Sequence, residues 1–372
     1  MLPALIKNLS NIPGWRTGQK IIVLESDDWG SIRMSSAEAV KSLHTAGIDV
    51  LSGNAARYNQ NDTLASAEDL EALYQVLQLF KDSNNNHPVF TALSLVANPD
   101  FEKIKAAGFR EYFYEPFTKT LERYNRKNAF ELWQQGIKTN LFIPQFHGRE
   151  HLNVAVWMRA LQQQDPHTLA AFEKAVWGFK NTNANRINYQ AAFDLEFPED
   201  IAAQKKIIAD GLALFEQLHG YKASFFVPPN GPINNALEET AALHGIRYMS
   251  ASKIQQEALG NGNTKKVYHY LGQQNKFKQI YITRNCFFEP CTEGKDWVAS
   301  CLSDINTAFR WHKPAVISSH RVNYVGSLNE ANRKKGLHQL KALFTEIRRK
   351  WPEAIFLSSN QLGDIIKAAK KL

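Results

Sequence analysis

Three acidic residues crowd the end of one apolar run. In IIVLESDDWGS, Ile21 to Ser31, Glu25 is followed by Asp27 and Asp28. Carboxylates sharing a confined space repel each other, and a divalent cation relieves them directly. The plainer alternative is that Asp28 caps the next helix while Asp27 faces water. Nitrogen donors lie elsewhere: in FHGREHLN, His147 and His151 form the one i, i+4 pair among 11 histidines. On a helical turn that spacing would put both rings on one face, able to converge on a single ion. The protease pattern H-E-x-x-H is excluded, because Gly148 follows His147. A third histidine, His320, ends the apolar run in AVISSHRVNY, and histidine is the usual proton donor near neutral pH. Together these types suit metal-assisted hydrolysis. A divalent ion polarises a carbonyl and acidifies water, a carboxylate accepts a proton, and an imidazole returns one.

Such residues need a scaffold that gathers distant segments. Eight short β-branched or aromatic runs recur along the chain: KIIVLES, PVFTALSLVA, NLFIPQFHG, ASFFVPPNG, IRYMSAS, KQIYITRN, PAVISSHRV and AIFLSSN. Helical patterns separate several of them, including SAEDLEALYQVLQLF, EDIAAQKKIIADGLALFEQLHG, which stops at a glycine, and NEANRKKGLHQLKALFTEIRRKW, which stops before Pro352. This alternation predicts an α/β fold with a parallel sheet covered by helices, either a closed barrel or an open doubly wound sheet. Both place their sites at the carboxyl ends of strands. That is where Asp27, Asp28, His147, Pro229, Asn230 and His320 fall. Residues 153–198 are less regular, with a helix expected in NVAVWMRALQQQ and a polar loop in NTNANRINYQAAFD. They are taken as an elaboration on a single domain, 1–372.

Composition narrows the classes. The 372 residues are 44% apolar and carry a formal charge of +8, with 44 Lys and Arg against 36 Asp and Glu. The basic residues are spread out apart from the terminal KAAKKL, and no nucleic-acid motif accompanies them. No G-x-G-x-x-G or Walker loop follows the first strand, which argues against a nucleotide cofactor. Three cysteines, Cys286, Cys291 and Cys301, without C-x-x-C spacing, predict neither a disulfide framework nor a thiolate zinc site and fit a reducing compartment. No run reaches the length of a membrane span and MLPALIKNLSNIPGW lacks a leader's apolar core, so a cytoplasmic location is expected unless a leader was trimmed.

The order of these motifs, an acid pair after the first strand, H-x-x-x-H after a later one, the turn VPPNG and a histidine on the last core strand, resembles the polysaccharide deacetylases, carbohydrate esterase family 4. The resemblance spans residues 21–325. It implies a distorted (β/α) barrel of seven or eight strands that removes an N- or O-acetyl group from a glycan or glycan precursor. It further implies Asp27 as general base, Asp28, His147 and His151 as metal ligands and His320 as general acid. Asn230, with Pro229 in the same turn, would line the groove and offer a backbone N–H to the oxyanion. Zinc is the metal expected, with cobalt, nickel or manganese as alternatives. The partner would be an N-acetylated carbohydrate; the oligomeric state stays open. The sequence also departs from the family. Trp29 separates the acid pair from Gly30, Gly148 replaces a hydroxyl residue, Val227 replaces an arginine that pairs with the base, and Ser318 and Ser319 replace apolar residues. Arg284 or Arg321 could supply the missing arginine. Trp29, Arg149, Arg284, Glu289 and Arg321 are further candidates for substrate contact, and Trp157 and Trp177 for stacking on sugar rings. Two alternatives stay open: a glycan-binding protein without turnover, and another metal-dependent hydrolase or isomerase.

Overall fold

The computed structural model describes residues 7–179 and 187–370. Residues 180–186, which take in the first six residues of the polar loop expected from sequence, and the last two of KAAKKL lie outside that description, as does the start of the N-terminal segment. All eight runs become strands of one parallel sheet, and Cys286–Phe287, just past the end of KQIYITRN, adds a ninth. They are β1 (Ile21–Trp29), β2 (Phe90–Leu95), β3 (Phe142–Gly148), β4 (Phe225–Phe226), β5 (Tyr248–Ser250), β6 (Ile280–Ile282), β7 (Cys286–Phe287), β8 (Ala315–His320) and β9 (Ile355–Leu357). β1 and β2 are buried along their whole length, as expected of parallel strands with helices on the outside and side chains filling the inside. Three covering helices are those read from sequence: α1 (Ala67–Gln78), α2 (Asp200–His219) and α3 (Glu330–Lys350). Ser66 and Asp69 form a reciprocal capping box at the start of α1, and Gly220, at φ 77°, ends α2. Leu70, Leu73 and Leu77 turn one face of α1 into the core, each side chain contributing about 1.5–3 kcal/mol of burial.

Neighbouring strands follow the order β6-β5-β4-β3-β2-β1-β8-β7, with β9 beside the start of β1. The two ends of this order, β6 and β7, are separated in the chain only by Thr283, Arg284 and Asn285. One continuous run therefore pairs with β5 on one side and with β8 on the other. It closes the curled sheet into a distorted (β/α) barrel. Asn285 holds the seam. Its N–H donates to the Val316 carbonyl at 3.1 Å, its side-chain oxygen accepts from the Val316 N–H at 2.9 Å, and its amide donates to the Pro314 carbonyl at 3.0 Å.

Two strands break register where they reach the mouth. The β1–β2 pairing shifts between Ser26 and Trp29, and the β2–β3 pairing skips His147. Bulges of this kind re-aim side chains. His147 thus ends a strand and His151 lies in the bend after it, so the pair does not share the helical turn expected from i, i+4 spacing. Among the described residues no helix is long and apolar enough to cross a membrane. All three cysteines are free.

Candidate active site

A regular strand sends consecutive side chains to opposite faces. Asp28 escapes that rule with φ at 77°, a left-handed conformation costing on the order of 1–3 kcal/mol in a non-glycine residue. The bulge brings both acids to one cleft of about 540 Å³ at the barrel mouth, which Asp27, Asp28, His147, His151, Arg284, Asn230 and His320 all line. Asp27 and Asp28 are only 5% and 7% exposed.

Asp28 Oδ1 lies 3.5 Å from His147 Nε2 and 3.2 Å from His151 Nε2. The candidate ligand atoms of all three residues fall within 4.8 Å of one another. His147 Nδ1 is 2.7 Å from the Val227 carbonyl, an acceptor only, so Nδ1 carries the hydrogen. In the neutral ring Nε2 then presents a lone pair to a carboxylate oxygen. Two acceptors facing each other in a buried space call for a cation between them. Burial pushes His151 below its ordinary value, with Asp28 opposing, which favours the neutral imidazole that a cation needs. His151 Nδ1 is buried without a hydrogen-bond partner among the described residues, leaving that ring's tautomer free to suit a ligand. The donor set therefore fits a divalent metal, held by Asp28, His147 and His151.

The arginine missing from the turn reappears on the closing run. Arg284 donates from Nη2 to Asp27 Oδ1 at 2.6 Å and from Nη1 to Asp27 Oδ2 at 2.7 Å. Its Nε reaches Glu25 Oε2 at 2.6 Å and its Nη1 reaches Ser318 Oγ at 3.1 Å. Glu25 and Asp27 point the same way by strand alternation, so one guanidinium grips both. Ser318 thus accepts from this arginine. Burial opposes ionisation of Asp27, but the Arg284 fork, with the neighbouring histidines adding to it, outweighs burial and holds Asp27 below the usual carboxylate range. Glu25, also buried and only partly compensated by Arg284, is pushed up.

His320 pairs in register with Asp27 across β8 and β1, and its Nε2 lies 3.7 Å from Asp27 Oδ2. Its Nδ1 is 2.5 Å from Glu289 Oε1. Glu289 is itself held by Arg57 and by Asn323, each at 2.9 Å. Burial alone would push His320 down; Glu289 in the main, together with Asp27 and Asp28, outweighs burial, and the imidazole rises to about 9. Asn230 adopts φ 56° in the turn closed by Gly231 N–H to the Pro228 carbonyl at 3.2 Å. Among the described residues no protein acceptor takes the Asn230 N–H. Pro229 faces the backbone of Gly148 instead of the cleft.

Several expected contacts are corrected. Trp29 is 1% exposed: its Nε1 donates to Ser26 Oγ at 3.0 Å and its ring meets Phe142 edge-on at 4.7 Å, so it cannot stack on a sugar. Trp157 and Trp177 are equally buried. Arg149 is spent on Glu150 at 2.6 Å and on the Tyr114 ring at 4.0 Å. Arg321, completely buried, donates to Asp62 at 2.9 Å and to the Ser31 carbonyl at 2.6 Å. Neither of these arginines reaches the cleft, and Arg284 alone replaces the absent one. Glu289 braces His320 and does not line the cleft. Sequence reading missed Arg33, Tyr58 and Lys253 on the cleft wall and Arg57 behind Glu289. No motif or periodicity marks them: Arg33 and Lys253 come from loops, and Arg57 and Tyr58 from a helix of under two turns, Ala56–Asn61.

No family model matches the sequence, and no curated protein matches it. Among solved structures, the chain is similar to a protein from Mycobacterium smegmatis provisionally named a polysaccharide deacetylase, at 13% identity over 96% of this chain and 94% of that one, TM-score 0.44. It is also similar to a protein from Parabacteroides distasonis provisionally named a glycoside hydrolase/deacetylase, at 9% identity over 94% and 71%, TM-score 0.48. A third is a CE4 family pseudoenzyme from Bacillus anthracis, at 10% identity over 92% and 65%, TM-score 0.36. Likenesses this distant leave the functional reading to the side chains.

Proposed function

We propose that the protein is a metal-dependent hydrolase that removes an acetyl group from an N-acetylated carbohydrate. The observation that carries this reading is the Asp28 carboxylate facing two imidazole nitrogens, with a second acid, Asp27, held ionised beside them. A cation held by Asp28, His147 and His151, zinc by preference for such nitrogen and oxygen donors, would supply Lewis acidity toward the carbonyl and toward water. The chain's own groups account for the proton movements. Each Asp27 oxygen accepts one bond from Arg284 and keeps a second lone pair, so Asp27 can take the proton of an attacking water. The Asn230 N–H is available to the charge that develops on the carbonyl oxygen, and losing such a donor costs about 2.7–4 kcal/mol. His320, pinned by Glu289 through Nδ1, presents Nε2–H to the departing amine. Water is consumed, and acetate and a free amine are released.

Metal content and acetate release from N-acetylated oligosaccharides, measured for the wild type and for His147→Ala, test the reading. Bound metal and turnover in the wild type, with both lost in the variant, are expected. A metal-free wild type, or a variant with undiminished turnover, would overturn it.

A further inference from the structure

Arg33 stands apart from the other arginines around the cleft. Arg57, Arg284 and Arg321 each hold a carboxylate: Glu289, Asp27 and Asp62. Among the described residues, Arg33 holds none within ion-pair distance. Its Nε and Nη2 donate to Asn59 Oδ1, both at 3.3 Å, its Nη1 donates to Gln190 Oε1, and its guanidinium lies 5.1 Å from the centre of the Tyr58 ring. All of these partners are neutral. The residue is 9% exposed, yet it lines the cleft beside Asp28 and His151. Its backbone sits at φ 46°, a left-handed conformation unusual for arginine. Gly178 makes room for it, since a Cβ there would come within 2.9 Å of Arg33 Nε.

Placing a guanidinium among neutral acceptors is costly unless an opposite charge arrives. The carboxylates whose charges reach it are Asp28 and Asp62. Asp62 is committed to Arg321, and Asp28 faces the two histidines. Lys253 lines the same cleft in a similar condition. Its Nζ donates to the Ser10 carbonyl at 2.8 Å and to Ser10 Oγ at 3.1 Å, with no carboxylate in ion-pair range among the described residues. Lys7, by contrast, is paired with Asp304. Among the described residues, the cleft thus keeps two cations outside any ion pair with a protein acid.

Resting on the deacetylase reading above, we infer that the sugar this cleft takes carries an oxyanion, a carboxylate or a phosphate ester, with Arg33 as its principal partner. A planar guanidinium suits either group, because two parallel N–H donors match two oxygens. The fold's net charge of +8 would favour the approach of such a ligand.

The test is calorimetric binding of three probes to the wild-type protein at one ionic strength: N-acetylglucosamine, N-acetylglucosamine 6-phosphate and N-acetylmuramic acid. At least one acidic sugar should bind tenfold or more tightly than the neutral one, and which one does so distinguishes phosphate from carboxylate. That preference should collapse in Arg33→Gln and survive in part in Arg33→Lys, which retains the charge. Equal affinities for all three sugars in the wild type, no binding of either acidic sugar, or an unchanged preference in a folded Arg33→Gln would each overturn the inference. The wild-type comparison stands even if that variant fails to fold. Acetate released equally well from neutral and acidic sugars would leave the hydrolase reading intact and sink this one. Selective binding of an acidic sugar without acetate release would do the reverse.

Discussion

His320 can act as an acid only while it holds its proton, and Glu289 determines how far up the pH scale that lasts. With its value lifted to about 9, the imidazole is charged at neutral pH, so turnover should hold through neutrality and fall as pH rises past that value. Replacing the carboxylate in Glu289→Gln keeps a hydrogen-bond acceptor but removes the charge. Burial then works unopposed by its main counterweight, and the basic limb of kcat should move toward lower pH, with the rate at pH 7 falling at least tenfold, toward the 10²–10⁴ that positioned acid catalysis is worth. A pH–rate profile for both proteins decides it; an unmoved basic limb would remove His320 from the acid role. At this scale the sequence was partly legible. Asp27, Asp28 and His320 stood out because acids and a histidine interrupt buried runs. Arg284 became visible through the gap left by Val227. Trp29 misled because an indole reads alike in a core and on a sugar platform, and only its contacts with Ser26 and Phe142 distinguish them.

Strand ends do the positioning, and they do it by breaking their own regularity. The bulge at Asp27–Asp28 turns two consecutive acids into one cleft, and the skipped residue in β3 is a metal-ligand candidate, His147. The strands themselves were readable as apolar runs, since burial on both faces leaves that mark. The bulges were not, because a register slip depends on the neighbouring strand. That is why H-x-x-x-H suggested a helical turn where the chain forms a strand end and a bend. Gly148 shows the same logic. It appeared as a lost hydroxyl, but its φ of 128° and the 3.2 Å approach of a would-be Cβ to the Glu150 carbonyl make glycine the fitting residue here. Gly148→Ser, although it supplies the hydroxyl the sequence resemblance led one to expect, should therefore destabilise by about 1–3 kcal/mol and weaken metal binding. Thermal denaturation and metal titration would show it, and a serine variant as stable and as tightly loaded as the wild type would refute the account.

The barrel as a whole is sealed by one stretch of chain, Ile280 to Phe287, whose two ends pair with β5 and β8. In the sequence, KQIYITRN looked like a single strand ending in polar residues at Asn285, and Cys286–Phe287 was not read as strand, because nothing local reveals that the chain changes neighbours midway. The switch explains where Arg284 comes from. Arg284 lies where the run leaves one neighbour and joins the other, and its side chain fills the mouth and grips Glu25 and Asp27 together. Closure and catalysis are thereby coupled: whatever loosens the seam loosens the fork on the base. Asn285→Ala removes two side-chain bonds from that seam, at a cost of about 1–3 kcal/mol for the polar groups left unpaired. Hydrogen exchange should accelerate in 280–287 and in the facing part of β8 while β2 and β3 keep their protection. Turnover should fall with metal content unchanged, because Asn285 bonds none of the segments that carry the candidate ligands: Asp28 on β1, His147 on β3 and His151 in the bend after it. Uniform loss of protection around the ring, or loss of metal in step with activity, would mean that the seam is not a separate element and that the barrel opens as one unit.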